Sequence, residues 1–291
     1  MLELAGKKIL VVGFGPKTGV SIVRFAAARG ASVRAVDNKP VDKLGPSLAA
    51  VAGIDLEVVG GGMPLKALDG VDLVVLSPGV PRSGELCAEA DRRGIRIIGD
   101  IELAWQCGRC RFAGITGTDG KSTTTAMVGG ILAAGKLGTV AGNIGIPVLN
   151  VVDTMAEREI LALELSSFML ESIDEFRPEA AAILNLAEDH LDRYPDMESY
   201  LAAKLNIFRN LGPGTTAVWP LDNPYSARFA AAVPEKAARV TFALDDPAAD
   251  LRAEEVWAGD HWTATLHTPA GAAALALQVA GRHNLLNALA A

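Results

Sequence analysis

The chain has 291 residues, half of them apolar and 21% charged, with a net charge of −7. That length gives room for about two domains, each able to bury its own core, and the negative balance argues against nucleic acid as a main partner. No apolar run reaches membrane-spanning length. The opening residues 1–8 lack the apolar region and cleavage site of a secretion signal, and three cysteines are too few, and odd in number, for a disulfide framework. The expected compartment is the cytoplasm, with no membrane partner.

Residues 9–13 form a short apolar run that ends in a glycine turn, Gly13-Phe-Gly-Pro-Lys17-Thr18-Gly19. An alanine-rich helical stretch follows (20–29), then a second strand (32–36) ending at Asp37. This is the start of a βαβ unit, with an acidic residue at the tip of the second strand. The glycine spacing is GxGxxxG, so NAD binding is a weak inference. Any nucleotide whose phosphates sit on the helix N-terminus would use the same geometry. Further strands are expected at 56–59, 73–76 and 96–98. The strand at 73–76 runs into Ser77-Pro-Gly79-Val-Pro, which reads equally as a ligand-binding edge of an open α/β sheet or as a plain Pro-Gly turn. Residues 100–105 suggest a short helix and 106–111 a linker. The Cys107-x-x-Cys110 pair in that linker has no second CxxC and reads by default as two reduced thiols.

An apolar strand-like run (112–115) then enters Gly-Ile-Thr-Gly117-Thr118-Asp119-Gly120-Lys121-Ser122-Thr123-Thr124-Thr, and a helical run (126–134) leaves it. Strand, glycine loop, lysine, hydroxyl and helix together describe a polyphosphate cradle. The helix start supplies roughly half a positive charge and Lys121 a full one, while Ser122 is placed to ligand the Mg²⁺ that accompanies ATP. The common phosphate-loop spacing fails by one residue, because Ile115 stands where a glycine is usual. Residues 142–147 form a loop. A buried strand (160–163) ends at Glu164, which reads either as a metal ligand or as a surface carboxylate capping the next helix. Another strand (181–184) runs into an acidic stretch around His190, a setting suited to Mg²⁺ or Mn²⁺. The helix expected at 197–208 carries Lys204 among apolar neighbours. β-prone runs at 216–219, 239–242, 262–267 and 274–279 suggest added antiparallel strands. The chain closes on the start of an apolar helix, from which it is expected to be a fragment.

Several of these stretches, in this order, resemble the Mur ligases. They are TGTDGKST at 116–123, GNIG at 142–145, ELSSF at 164–168, EDHLDRY at 188–194, AAK at 202–204 and GRHNLLN at 281–287. SPGVP at 77–81 points within that family to the branch that adds D-glutamate to UDP-N-acetylmuramoyl-L-alanine. The resemblance implies a fold of an N-terminal Rossmann-like parallel-sheet domain (1–105), a linker (106–111) and a phosphate-loop α/β ATPase domain with added antiparallel strands (112–291). It also implies that the family's C-terminal amino-acid-binding domain is missing, so that this chain binds the uridine substrate with little or no ligase activity. The implied chemistry is ATP-driven amide-bond formation through an acyl phosphate, with two Mg²⁺ sites.

By the same resemblance, Gly117, Thr118, Asp119, Gly120, Lys121, Ser122, Thr123 and Thr124 hold ATP, with Asn284 and Asn287 beside the adenine. Ser122 and Glu164 hold one metal ion, and His190 and a carbamylated Lys204 serve the second, so that Lys121, Glu164, His190 and Lys204 form the catalytic set. Lys17, Thr18, Asp37, Asn38, Ser77 and Gly79 form the uridine diphosphate site, while Asn143 and Ser166 contact the rest of that substrate. The partners implied are UDP-N-acetylmuramoyl-L-alanine and glutamate, for a monomeric enzyme. L-glutamate as the added amino acid, and a non-catalytic nucleotide-sugar binding module, are the competing expectations. Two positions depart from the pattern: Asp119 stands where the family has Asn, and Met169 where it has Gln.

Overall fold

The computed structural model describes residues 1–143, 145–257 and 262–291. The chain divides into two compact units, one made of Met1–Arg109, Gly145–Thr154 and Phe168–Phe176, the other of Cys110–Ile144, Met155–Ser167 and Arg177–Ala291. Among the described residues, no helix is long and apolar enough to cross a membrane.

The first unit runs β1 (Lys8–Val12), α1 (Thr18–Ala28), β2 (Ser32–Asp37), α2 (Gly45–Ala50), β3 (Leu56–Gly60), β4 (Leu73–Leu76), α3 (Glu85–Arg92), β5 (Arg96–Gly99) and α4 (Asp100–Cys107). Its five strands are all parallel, in the order β3-β2-β1-β4-β5. Ile9, Leu10, Val11 and Val12 are all fully buried, as expected of a parallel strand covered on both faces. Leu10, Val12, Val74 and Leu76 pack with Leu86 and Ala90 of α3, while α1 buries Ile22, Val23, Phe25 and Ala26. The strand order reverses between β1 and β4, which opens a crevice at their carboxyl ends. Gly19 explains the unusual spacing of the first glycine turn. A Cβ there would lie 2.4 Å from the Gly13 carbonyl oxygen and 2.8 Å from Phe14 Cα, so α1 can approach the strand exit this closely only with glycine at that position.

Residues 145–154 and 168–176 pack with this unit, so the stretch read from the sequence as one continuous second domain lends two segments to the first. Glu102 accounts for one of them. Its carboxylate, fully buried, accepts the backbone N–H groups of Asp174, Glu175 and Phe176 at 2.8, 3.0 and 2.9 Å. The other is held in part by the Ser21 hydroxyl, which donates to Asn150 Oδ1 at 2.8 Å. A single glutamate gathering three N–H groups from 72–74 residues away leaves no local sequence pattern.

The second unit runs β6 (Arg111–Thr116), α5 (Lys121–Gly135), β7 (Gly138–Gly142), β8 (Ile160–Glu164), α6 (Ser167–Leu170), β9 (Ala180–Ile183), α7 (Met197–Leu205), β10 (Thr216–Pro220), α8 (Ser226–Ala232), β11 (Ala238–Phe242), β12 (Arg252–Trp257), β13 (Trp262–Thr268), β14 (Gly271–Leu277) and α9 (His283–Ala290). The short α6 opens the segment that the first unit takes up. Six strands form a parallel sheet, β11-β10-β9-β6-β8-β7, with β6 inside it, and β12-β13-β14 form a separate antiparallel sheet. The fold is therefore α/β with parallel sheets and an antiparallel addition. Only the last runs are antiparallel, however. The stretches expected to be antiparallel at 216–219 and 239–242 are β10 and β11, and both pair in parallel. The reason is α8, a short helix that the sequence reading did not place and that supplies the crossover a parallel return requires.

Cys87, Cys107 and Cys110 are free and buried. Burial pushes the Cys110 thiol up to about 11 and also raises Cys107, so neither is a reactive thiolate at neutral pH.

Asp100 opens α4 and is 2% exposed; burial pushes its carboxyl up from 3.8 to about 7, against backbone N–H groups that lower it. The folded chain therefore holds this proton more tightly than the unfolded chain, and stability falls as pH rises from about 4 to 7, by on the order of 3–4 kcal/mol. Asp100→Asn is expected to raise the thermal unfolding midpoint at pH 8 and to leave it nearly unchanged at pH 4, as read by calorimetry at the two pH values.

Candidate active site

The phosphate loop leaves the carboxyl end of β6 and enters α5 directly. Gly120 is the residue before the helix and has φ +79°, in the left-handed region where glycine is favoured. A Cβ on Gly120 would also lie 2.3 Å from Asn287 Oδ1, so α9 packs on the loop at this point. The helix begins at Lys121 rather than at 126, which places Lys121, Ser122 and Thr123 in its first turn, where N–H groups have no intrahelical acceptor.

Two ammonium groups converge on one carbonyl. Lys121 Nζ donates to the carbonyl oxygens of Gly117 and Thr118 at 3.0 and 2.7 Å. Lys204, on α7, donates to the same Gly117 oxygen at 2.7 Å. Lys204 is 1% exposed. Burial, and then the nearby charge of Lys121, pull its ammonium down to about 7, while Asp189 and Asp119 act in the opposite sense. The Tyr200 ring lies 4.6 Å from Lys204 Nζ, and the Tyr200 hydroxyl is 3.4 Å from Thr118 Oγ1. His190 has φ +55° and meets the Tyr200 ring edge-on, with centroids 5.9 Å apart. The structure thus brings Lys121, Lys204, Thr118 and His190 around Tyr200, a residue that the sequence reading did not single out.

Glu164 ends β8, in register with Ile115 of β6 and Gly142 of β7. It is 2% exposed and accepts a hydrogen bond from Asn143 Nδ2 at 3.0 Å. Among the described residues it makes no ion pair, so a buried carboxylate stands without a cation one strand from the phosphate loop. That setting fits a hard divalent cation. No three His, Cys, Asp or Glu side chains gather among the described residues, and such an ion would take its remaining ligands from a hydroxyl such as Ser122, from water and from phosphate oxygens, as Mg²⁺ commonly does. Ser122 is exposed and Thr124 buried, with the Thr124 hydroxyl lacking a hydrogen-bond partner.

Beside the loop lies a cavity of about 660 Å³ lined by Asp119, Gly120, Thr123 and Asn287, together with Asn185, Asp222, Asn223, His283, Phe242 and four others. Asn287 lines this cavity and Asn284 does not. Asn284 instead bridges, donating to the Ala280 carbonyl at 2.6 Å and accepting from Asn287 Nδ2 at 3.1 Å. Asn185, Asp222, Asn223 and His283 were not among the expected site residues. Only the His283-x-x-x-Asn287 spacing, one helical turn apart, carried a signal for any of them.

In the first unit, a cavity of about 540 Å³ at the carboxyl ends of β1, β2 and β4 is lined by Gly13, Asp37, Asn38, Gly79, Val80 and Cys87 among others. Asp37 accepts N–H groups from Phe14 and Lys39 at 2.8 and 2.9 Å, and Ser77 Oγ donates to the Gly13 carbonyl. Asp37, Asn38 and Gly79 are thus brought together here, while Lys17 and Thr18 mark the start of α1 without lining the cavity. Asn143 and Ser166 belong to the second unit. Ile144, within the expected GNIG loop, lies outside the described residues.

Comparison with known proteins rests on this geometry. Residues 115–291 match the Mur ligase middle domain, and residues 7–99 match the N-terminal domain described as Mur ligase MurD-like. The chain belongs to the Mur ligase family. It is 41% identical over 253 residues to UDP-N-acetylmuramoylalanine--D-glutamate ligase of Frankia casuarinae, covering 86% of this chain and 52% of that protein. It is 40% identical over 297 residues to the same-named ligase of Anaeromyxobacter dehalogenans, covering 99% of this chain and 63% of that one. The chain therefore spans about half to three fifths of the length of these relatives. Among solved structures it shares its fold with UDP-N-acetylmuramate:L-alanyl-gamma-D-glutamyl-meso-diaminopimelate ligase from Neisseria meningitides, at TM-score 0.66 and 19% identity, over 98% of this chain and 92% of that one. MurF from Acinetobacter baumannii matches at TM-score 0.57 and 20% identity, over 98% of this chain and 55% of that chain.

Because a Cβ at Gly120 would strike Asn287, Gly120→Ala is expected to displace α9 from the loop and to weaken MgATP binding at least tenfold. Titration calorimetry on the folded variant checks this.

Proposed function

We propose that this chain carries the nucleotide-binding and uridine-substrate-binding parts of an ATP-dependent ligase that adds D-glutamate to UDP-N-acetylmuramoyl-L-alanine in peptidoglycan precursor synthesis. The observation that carries the reading is the pair of lysines on the Gly117 carbonyl at the start of α5. Two positive charges at a helix N-terminus, one of them deeply buried, form a site that a polyphosphate completes. The resemblance to D-glutamate ligases over 86–99% of the chain supports the choice of reaction.

In this reading ATP lies over the start of α5, with Lys121 on its β- and γ-phosphates and the adenosine in the cavity lined by Asn287 and His283. The cavity of the first unit takes the uridine diphosphate through Asp37, Asn38 and Gly79. The substrate carboxylate attacks the γ-phosphorus, the bond to the β-phosphate oxygen breaks, and ADP leaves an acyl phosphate. The glutamate amine then attacks the acyl carbon, loses a proton and expels phosphate. Both steps bring anions together, so the lysines would act by offsetting charge as it builds up. Mg²⁺ held by Glu164 and Ser122 would supply further positive charge at the phosphates. With its ammonium drawn down to about 7, Lys204 has a substantial neutral fraction near neutral pH, the form that reacts with CO₂. Carbamylation would turn it into an oxygen ligand alongside His190. Since the chain spans part of its relatives' length, ligation is proposed for the protein at that length, and ligand binding for the 291 residues themselves.

Lys121→Ala is expected to weaken MgATP binding by two orders of magnitude or more while leaving UDP-N-acetylmuramoyl-L-alanine binding within twofold of the original chain. Titrating both ligands, and NADH as a control, checks it. Preferential binding of NADH, or an unchanged MgATP affinity in the variant, would overturn the reading.

A further inference from the structure

The phosphate loop is shaped by a residue on a neighbouring strand. Asn185 follows β9, which lies next to β6 in the sheet, and its carboxamide meets the loop edge-on. Asn185 Oδ1 accepts the N–H of Thr118 at 3.0 Å and the N–H of Asp119 at 2.8 Å. Its Nδ2 returns a hydrogen bond to the Asp119 carbonyl at 3.0 Å. The main chain reinforces the contact: Thr118 N–H also reaches the Asn185 carbonyl at 3.2 Å, and Thr118 Oγ1 accepts from Ala187 N–H at 3.0 Å and donates to the Ala187 carbonyl at 3.2 Å. Asn185 also lines the 660 Å³ cavity.

We infer that Asn185 is a positioning residue for nucleotide binding, and that by occupying the Thr118 and Asp119 N–H groups it confines the phosphates to the start of α5. Resting on the nucleotide-site reading above, this goes beyond it in saying which backbone donors the phosphates use. In a glycine loop every inward N–H competes for the anion. Here two consecutive donors are already taken by a neutral amide oxygen, which leaves the first-turn N–H groups of Lys121, Ser122 and Thr123, together with Lys121 Nζ. The carboxamide suits this role because it presents an acceptor and a donor side by side. Aspartate would keep the acceptor, but it would turn a second acceptor toward the Asp119 carbonyl and add a negative charge beside the phosphates.

The test uses the 291-residue chain, Asn185→Ala and Asn185→Asp, with three measurements: MgATP affinity, UDP-N-acetylmuramoyl-L-alanine affinity, and amide hydrogen exchange at Thr118 and Asp119. Asn185→Ala is expected to lose at least tenfold in MgATP affinity and to exchange at least tenfold faster at both amides, with the uridine ligand held within twofold. Asn185→Asp is expected to keep the two amides protected while still binding MgATP more weakly, a separation that a merely structural residue would not produce. If the alanine variant fails to fold, the aspartate variant carries the test alone. Unchanged protection and MgATP affinity within twofold in Asn185→Ala would overturn the assignment, as would parallel loss of both in Asn185→Asp. If the parent chain binds no MgATP, the functional reading falls, and the exchange data still decide whether Asn185 holds the loop.

Discussion

The Gly117 carbonyl oxygen receives two lysine side chains at 3.0 and 2.7 Å, and the second unit is arranged around that meeting. Like charges this close repel unless a strong acceptor lies between them, and a single neutral carbonyl offsets only part of the repulsion. The remainder shows in Lys204, whose ammonium is drawn down to about 7. A loop held in this way is incomplete without an anion. The attraction for phosphate therefore follows from the fold itself, and the net charge of −7 does not prevent it, because the positive field is local and partly shielded from water.

Each element near that point serves the same constraint. β6 delivers the loop from inside a parallel sheet, where N–H and C=O groups are paired on both sides. Gly120 turns in the left-handed region, so α5 can begin at once with its N-terminus toward the ligand. α7 buries Lys204 under Tyr200, and α9 closes on Gly120 through Asn287. The first unit solves a related problem with different residues. Its crevice also opens where the order of a parallel sheet reverses, and Gly19 allows the helix to close on the turn, but no lysine lines the cavity. Asp37 is engaged with backbone N–H groups there, so its carboxylate shapes the turn as well as facing the crevice.

Much of the fold was legible because its signals are local. Short apolar runs ending in glycine turns marked β1, β4, β6, β8 and β9 nearly to the residue, and the doubly covered parallel sheets follow from runs such as Ile9-Leu-Val-Val12, in which both faces are apolar. The added strands were read less well. β10 and β11 look like any other short β-prone runs, and their direction depends on whether the intervening chain forms a helix. Ser226–Ala232 does, so the pair is parallel. The unit boundary was hidden for a similar reason, since Glu102 reaches its three N–H partners across 72–74 residues.

The sequence by itself determined the chemistry of the phosphate site: a glycine loop, Lys121 and a hydroxyl between strand and helix, with Glu164, His190 and Lys204 following in order. These are signals of composition and spacing along one stretch of chain, and a short stretch folds the same way wherever its neighbours lie. Tertiary structure alone decided which strand stands beside which. Because β9 lies next to β6, Asn185 holds the loop; because α7 packs beneath it, Lys204 reaches the carbonyl of Gly117, 87 residues earlier. Such contacts depend on sheet order and burial, which are properties of the folded chain as a whole, and no local pattern encodes them.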